Sequence, residues 1–176
     1  MAATNYSQIA KNDTKNFITT ATLQLLGIRK TTEKPKRVDQ LTISSVCKRA
    51  GVSRMAFYRN YDSIDEVIYQ YYQPKIAKSF EIIRQDVSAK SKIENQLKFF
   101  EGFKMDLFLS EDQGYEPIIR QIYIEEIENF YKDTNDEYFI TFVATGVYAV
   151  WRRWLMNGQD KPIEEIHELI RKIVTI

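Results

Sequence analysis

Between Thr42 and Tyr61 the chain carries side chains suited to a polyanion and to the edges of base pairs. If Val52, Phe57 and Tyr61 face a core, then Arg54, Met55, Tyr58 and Arg59 must point away from it. Arg54 can donate a bidentate pair to guanine O6 and N7, Met55 can touch a thymine methyl, and Tyr58 can give its hydroxyl to a phosphate oxygen. Arg59 suits either role. The hydroxyls of Thr42, Ser44 and Ser53 fall beside free backbone N–H groups at expected helix N-termini, where phosphate is favoured. Lys30, Lys34, Lys36 and Arg37 precede them and add long-range attraction.

These side chains need two short helices joined by a turn, with the second presented to the major groove of double-stranded DNA. The sequence supplies the signals in order. Thr42 is a good N-cap, and Ile43, Val46, Cys47 and Ala50 follow at i, i+3, i+4 and i+7 as one buried face. Gly51 can take the left-handed conformation that stops this helix, and Ser53 can cap the next. Phe57 and Tyr61, four residues apart, then face inward together. Ser63 and Glu66 have the spacing of a capping box for a fourth helix, which should end or bend near Pro74. Upstream, Phe17, Ile18, Ala21, Leu25 and Leu26 predict a first helix over about 7–29, and 30–40 reads as a basic loop around Pro35.

Charge divides the chain at the same place. Residues 1–61 hold eleven Lys or Arg against three Asp or Glu, net +8, and the remaining 115 hold fourteen against twenty-one, net −7. The overall +1 conceals one end that attracts a polyanion and another that repels it.

The run Leu41-Thr42-Ile43-Ser44-Ser45-Val46-Cys47-Lys48-Arg49-Ala50-Gly51-Val52-Ser53-Arg54-Met55-Ala56-Phe57-Tyr58-Arg59-Asn60-Tyr61 resembles the DNA-binding unit of the TetR (tetracycline-repressor) family. Ser63 to Val67 resembles the start of that family's fourth helix. Motif-level similarity covers about residues 14–70. Family members usually have lysine where this chain has Ile64, and small or hydroxyl-bearing residues at Met55 and Ala56. The resemblance implies a homodimer on a palindromic operator, acting as a transcriptional regulator, with a repressor as the commonest form. A DNA-bound architectural or cell-division factor with the same head is a second reading, and a small all-helical enzyme a third.

The expected fold is all-α: a three-helix DNA-binding head over 1–61, a fourth helix at about 63–73 as linker, and a helical dimerisation and effector-binding domain over 74–176. Apolar residues at helical spacing predict helices in 76–87, 93–109 and 117–131, with breaks at 88–91 and 110–114. The segment 134–156 is the most apolar, stopped by Asn157 and Gly158, and Pro162 begins a last helix through Ile166, Leu169, Ile170 and Ile173. Two recognition helices about 34–36 Å apart require a dimer surface. The candidate is Phe139, Val143, Gly146 and Val150, with Phe142, Val147, Trp151 and Trp154 beside them. The family resemblance implies an interface made from the last two helices of each partner. It also implies either an effector cavity in the aromatic central helices or a protein partner there. Phe99, Phe103, Tyr123, Glu126 and Phe130 are the candidates for an apolar or cationic inducer.

Composition excludes other chemistry. One cysteine and one histidine leave no disulfide framework and no thiolate–imidazole metal cluster, and no cofactor is implied. Cys47 reads as a small buried hydrophobe, and His167 as a surface partner of Glu164, Glu165 or Glu168. No phosphate-binding glycine loop or nucleophile–base set is present, so no catalytic residue is assigned. No apolar run suggests a signal peptide or membrane span, and a reducing cytoplasmic setting is expected.

Overall fold

A computed structural model describes residues 2–85, 89–133 and 136–174, with side chains described over 11–85, 94–133 and 136–172. It is all-helical among the described residues: α1 (Ala2–Leu25), α2 (Ile43–Ala50), α3 (Arg54–Tyr58), α4 (Ile64–Gln85), α5 (Ala89–Gln113), α6 (Glu116–Phe130), α7 (Glu137–Met156) and α8 (Ile163–Val174), with a 3-10 turn at Val38–Gln40. No helix among the described residues is long and apolar enough to cross a membrane. The chain forms two compact units, Met1–Tyr72 with Leu109–Ile118, and Gln73–Phe108 with Ile119–Ile176.

In the first unit α1, α2 and α3 pack on one another. Ile18, Leu23, Leu26, Val46 and Phe57 are fully buried, so the apolar stripes of three helices close one small core. The chain leaves α1 through Gly27, which has φ +74 and lies so close to Pro35 that a Cβ would sit 2.6 Å from the proline Cγ. That contact folds the basic loop back on the helix end, where Lys36 N–H donates to the Leu25 carbonyl at 2.8 Å. Arg49 completes the tie by donating to Gln24 and Thr31 and pairing with Glu33.

Pro74 does not end α4, which is continuous from Ile64 to Gln85. Proline removes one N–H and crowds the preceding turn. Tyr72 and Ile76 on either side of it are fully buried, so packing holds the helix through the lost bond. The division between the two units falls just before it, at Tyr72 and Gln73. The break expected at 110–114 moves to its end: Ser110 to Gln113 remain helical, and the turn is made by Gly114 at φ +80. Of the break at 88–91, Ser88 lies outside the described residues and α5 begins at Ala89; Thr134 also lies outside them, and α7 is capped by Asp136, whose carboxylate accepts from the Tyr138 and Phe139 amides.

The second unit has an aromatic core. Phe100 lies 4.6 Å from Trp151 and 5.9 Å from Trp154, and Tyr123 lies 5.5 Å from Tyr148, all between ring centroids. The α7–α8 turn passes through Asn157 and Gly158 as the sequence predicts, and the Trp154 indole N–H donates to the Lys161 carbonyl across it at 2.8 Å.

His167 is corrected by this packing. It is half-buried with its ring edge-on to Trp151 at 5.3 Å, and its Nε2 is buried without a hydrogen-bond partner. Burial pulls its pKa below the usual 6.5, against a smaller opposing effect of Glu164. A depressed histidine pKa means that the unfolded chain takes up a proton the folded chain resists. Stability should therefore fall as pH drops below about 6.5, until the folded histidine also titrates. Burial raises the Glu126 carboxyl above the usual range, which acts with the opposite sign. Melting temperatures from pH 7 to 5 should decline for the native chain and decline less for His167→Leu; equal slopes would remove His167 as the cause.

The glycines give a second prediction. Gly27→Ala must place a Cβ against a rigid proline ring as well as adopt positive φ, whereas Gly51→Ala, at φ +68, meets nothing within 4 Å. Urea unfolding should show a loss of about 1–2 kcal/mol for Gly51→Ala and a larger one for Gly27→Ala.

Candidate nucleic-acid interface and effector cavity

The helix-turn-helix forms from reciprocal caps. The Thr42 hydroxyl accepts the Ser45 amide at 3.1 Å while the Ser45 hydroxyl accepts the Thr42 amide at 3.1 Å, a capping box one residue type away from the usual Glu or Gln. Gly51 takes φ 68 as the C-cap, and Ser53 Oγ accepts the Ala56 amide at 3.1 Å. Hydroxyls that accept an amide keep their own proton, so Thr42 and Ser53 can still donate to a phosphate oxygen. Ser44 is exposed on the first turn of α2.

α3 is only five residues long, and its inward side is anchored by Phe57 at 0% and Tyr61 at 3% exposure. The Tyr61 hydroxyl is within 2.7 Å of the Thr19 hydroxyl on α1, and the Lys15 ammonium lies 5.3 Å from the Tyr61 ring centre. Arg54, Met55, Tyr58 and Arg59 are then all exposed, Met55 at 66% and Tyr58 at 51%. Arg59 Nη2 is 3.4 Å from Met55 Sδ, which holds the guanidinium along the same surface. Cys47 is buried beneath, and burial raises its thiol pKa against a smaller pull from Arg54.

The two basic-loop candidates differ in environment. Lys36 is exposed. Arg37 pairs with Asp39 at 3.3 Å and donates to the Asp112 carbonyl at 2.9 Å, and a Cβ on Gly114 would lie 2.7 Å from its Nη2. Arg37 therefore binds the chain's own α5–α6 turn. The sequence carries no signal for this bond, which joins residues 75 positions apart. Tyr72 and Tyr115, stacked at 5.9 Å with hydroxyls 3.2 Å apart, fasten the same turn within the first unit.

In α7, Val143, Trp151 and Trp154 are corrected: at 1%, 6% and 3% exposure they belong to the core of their own unit and cannot form an outer face. Phe142 is 63% exposed, Tyr138 81%, and Phe139, Gly146, Val147 and Val150 are intermediate. An alanine Cβ at Gly146 would meet nothing within 4 Å, so nothing among the described residues of this chain requires a glycine there.

A cavity of about 60 Å³ lies within the second unit. Seven rings wall it, those of Phe80, Phe99, Phe100, Tyr123, Phe130, Tyr131 and Trp151, together with Ile83, Ile127, Val147 and Gln96. Three expected effector residues, Phe99, Tyr123 and Phe130, thus line one space. Phe103 stacks on Phe99 at 5.6 Å behind it. Glu126 is not in the lining; Gln73 donates to its carboxylate at 3.4 Å. The cavity wall holds no carboxylate, and the sequence-based expectation of a cation held by Glu126 loses its counter-ion for that reason. Gln96 is a lining residue that the sequence reading does not single out, although its place one turn before Phe99 and Phe100 puts it on their helix face.

Residues 112–175 match the family model of a TetR-type transcriptional regulator C-terminal region, from the last turn of α5 through α8. The caps and α3 lie before that match. No curated protein matches the chain.

The caps carry a direct prediction. Thr42→Ala leaves the Ser45 amide unsatisfied and should lower stability by about 0.5–2 kcal/mol in denaturant unfolding. Thr42→Ser should retain most of it; equal losses for both would show that the methyl group, not the cap, matters.

Proposed function

We propose that the chain is a transcriptional regulator of the TetR family, as the match of residues 112–175 to that family's C-terminal region supports, and that it is a homodimeric repressor that binds a palindromic operator through α2 and α3 and leaves it when a small molecule occupies the second unit. The observation that carries this reading is the exposed Arg54, Met55, Tyr58 and Arg59 surface on a capped helix-turn-helix whose first 61 residues carry net +8. Arg54 and Met55 read base edges; Tyr58, Thr42, Ser44 and Ser53 hold phosphates; Arg59 serves at the border between them. Lys36 joins Lys34 in long-range attraction, while Arg37 acts by fixing the loop that carries them. A reducing, cytoplasmic setting fits its single, buried cysteine.

The homodimer uses the outer side of α7 with α8. Phe142, Phe139, Gly146 and Val150 are the contact residues, and Val147 lines the cavity instead. Absence of a side chain at Gly146 supports close approach of the partner's helix, because glycine inside a helix otherwise costs about 0.5–1 kcal/mol relative to alanine. Phe142→Glu should give monomers by light scattering without unfolding the chain, since this side chain is already exposed. An intact dimer would move the interface elsewhere.

Selection of bound sequences from random DNA tests the central reading: a palindrome with half-sites about one helical turn apart is expected, and no enrichment would overturn it. On that palindrome Arg54→Ala should cost about 1–3 kcal/mol and relax preference at one base pair per half-site. Replacing Lys34 and Lys36 by glutamine should weaken binding to all sequences alike and reduce the salt slope by about 0.9 for each phosphate no longer neutralised. An unchanged slope would exclude the loop lysines from the interface.

A further inference from the structure

The cavity in the second unit restricts what the inducer can be. A bound water needs about 10–15 Å³ measured with a water-sized sphere, so about 60 Å³ has room for roughly four to six waters, the space of a single six-membered ring. Its walls are aromatic and aliphatic, and none of the lining residues is charged. The nearby Arg84 guanidinium, 5.9 Å from the Phe130 ring centre, opposes a cationic guest. Two polar atoms of lining residues, Gln96 Oε1 and the Tyr123 hydroxyl, are buried with no hydrogen-bond partner. Such groups are costly unless something bonds to them. Gln96 Oε1 can only accept, so the guest must donate to it; the Tyr123 hydroxyl can donate in return. Burial holds the Tyr123 phenol protonated well beyond neutral pH.

We infer that this cavity binds a neutral, single-ring aromatic molecule bearing a hydroxyl group, donating to Gln96 Oε1 and accepting from Tyr123. That such a molecule acts as the inducer rests on the repressor reading above; that it binds does not. Aromatic rings stack against the walls in offset or edge-on geometry, and a hydroxyl is the smallest group that can both donate and accept. A carboxylate has no proton for Gln96, and a quaternary ammonium has neither a hydrogen-bond donor nor a counter-ion in the wall.

Titration of the purified protein with p-cresol, toluene, p-toluate and benzyltrimethylammonium tests this, read by calorimetry and by tryptophan fluorescence, because Trp151 lines the cavity. The cresol should bind at least about tenfold more tightly than toluene, its near-isostere without the hydroxyl, and the two ions should bind more weakly still. Gln96→Leu, which removes the orphaned acceptor, should bring cresol and toluene to similar affinity; Val147→Phe, which fills the space, should abolish both, with circular dichroism confirming that each variant folds. Equal affinity of the native chain for cresol and toluene, preference for either ion, or no binding would overturn the inferred ligand class. The second readout is affinity for the selected palindrome. Cresol that binds yet leaves DNA affinity unchanged would overturn its role as inducer and leave the ligand class standing. Cresol binding by a chain that selects no DNA would overturn the repressor reading alone.

Discussion

A helix of five residues is not stable on its own, because nucleating the first turn fixes several dihedral angles for a single hydrogen bond. α3 exists only because Phe57 and Tyr61 are sealed against the rest of the first unit and because Ser53 and Gly51 fix where it starts. Everything on its outer side inherits its position from that anchorage. Arg54, Met55, Tyr58 and Arg59 are aimed by what lies beneath them, and the Thr19–Tyr61 bond with Lys15 over the ring makes α1 part of the aiming device. Losing the buried ring would displace the outer side chains without touching one of them.

The same anchorage extends to a distant part of the chain. Residues 109–118 belong to the first unit although the preceding turns of α5 and the following turns of α6 belong to the second. The Arg37 guanidinium lies where a Cβ on Gly114 would come, and Tyr72 stacks on Tyr115 nearby. α4, α5 and α6 each contribute residues to both units, so the units are joined by continuous helix three times over. Gln96, Phe99 and Phe100 of the cavity and Asp112 of the Arg37 bond lie on one helix. On the reading proposed above, this covalent continuity is what would connect an occupied cavity to the first unit. The response is bounded by the ligand's difference in affinity for the two arrangements.

The first unit is legible in the sequence because its determinants are local. Caps, a left-handed glycine and a spacing of three and four residues need no knowledge of distant chain, and Thr42, Gly51, Ser53, Phe57 and Tyr61 all sit where those rules put them. Arg37 is not legible, because its carbonyl partner is remote and a basic residue in a basic loop looks like any other. Of the two outcomes Pro74 allows, an end or a bend, continuity of α4 removes the first, because burial of Tyr72 and Ile76 outweighs one lost backbone bond. The glutamate neighbours of His167 suggest a surface residue, when the ring that decides its environment, Trp151, belongs to another helix.

α7 shows the limit of periodicity most clearly. An amphipathic helix announces its buried side, but a helix apolar nearly all round announces only that it is covered. Val143, Tyr148, Trp151 and Trp154 turn to the core of the unit, which leaves Tyr138 and Phe142 on the surface. Exposed rings on a helix whose other side is already satisfied keep an unfavourable contact with water that burial against another surface would remove. Gly146 adds a separate indication, because nothing among the described residues occupies the space its missing side chain leaves. A helix that carries two exposed rings, and a glycine whose missing side chain nothing among the described residues replaces, is better explained by a surface that approaches from outside the chain, and on the reading proposed above that surface is a second copy.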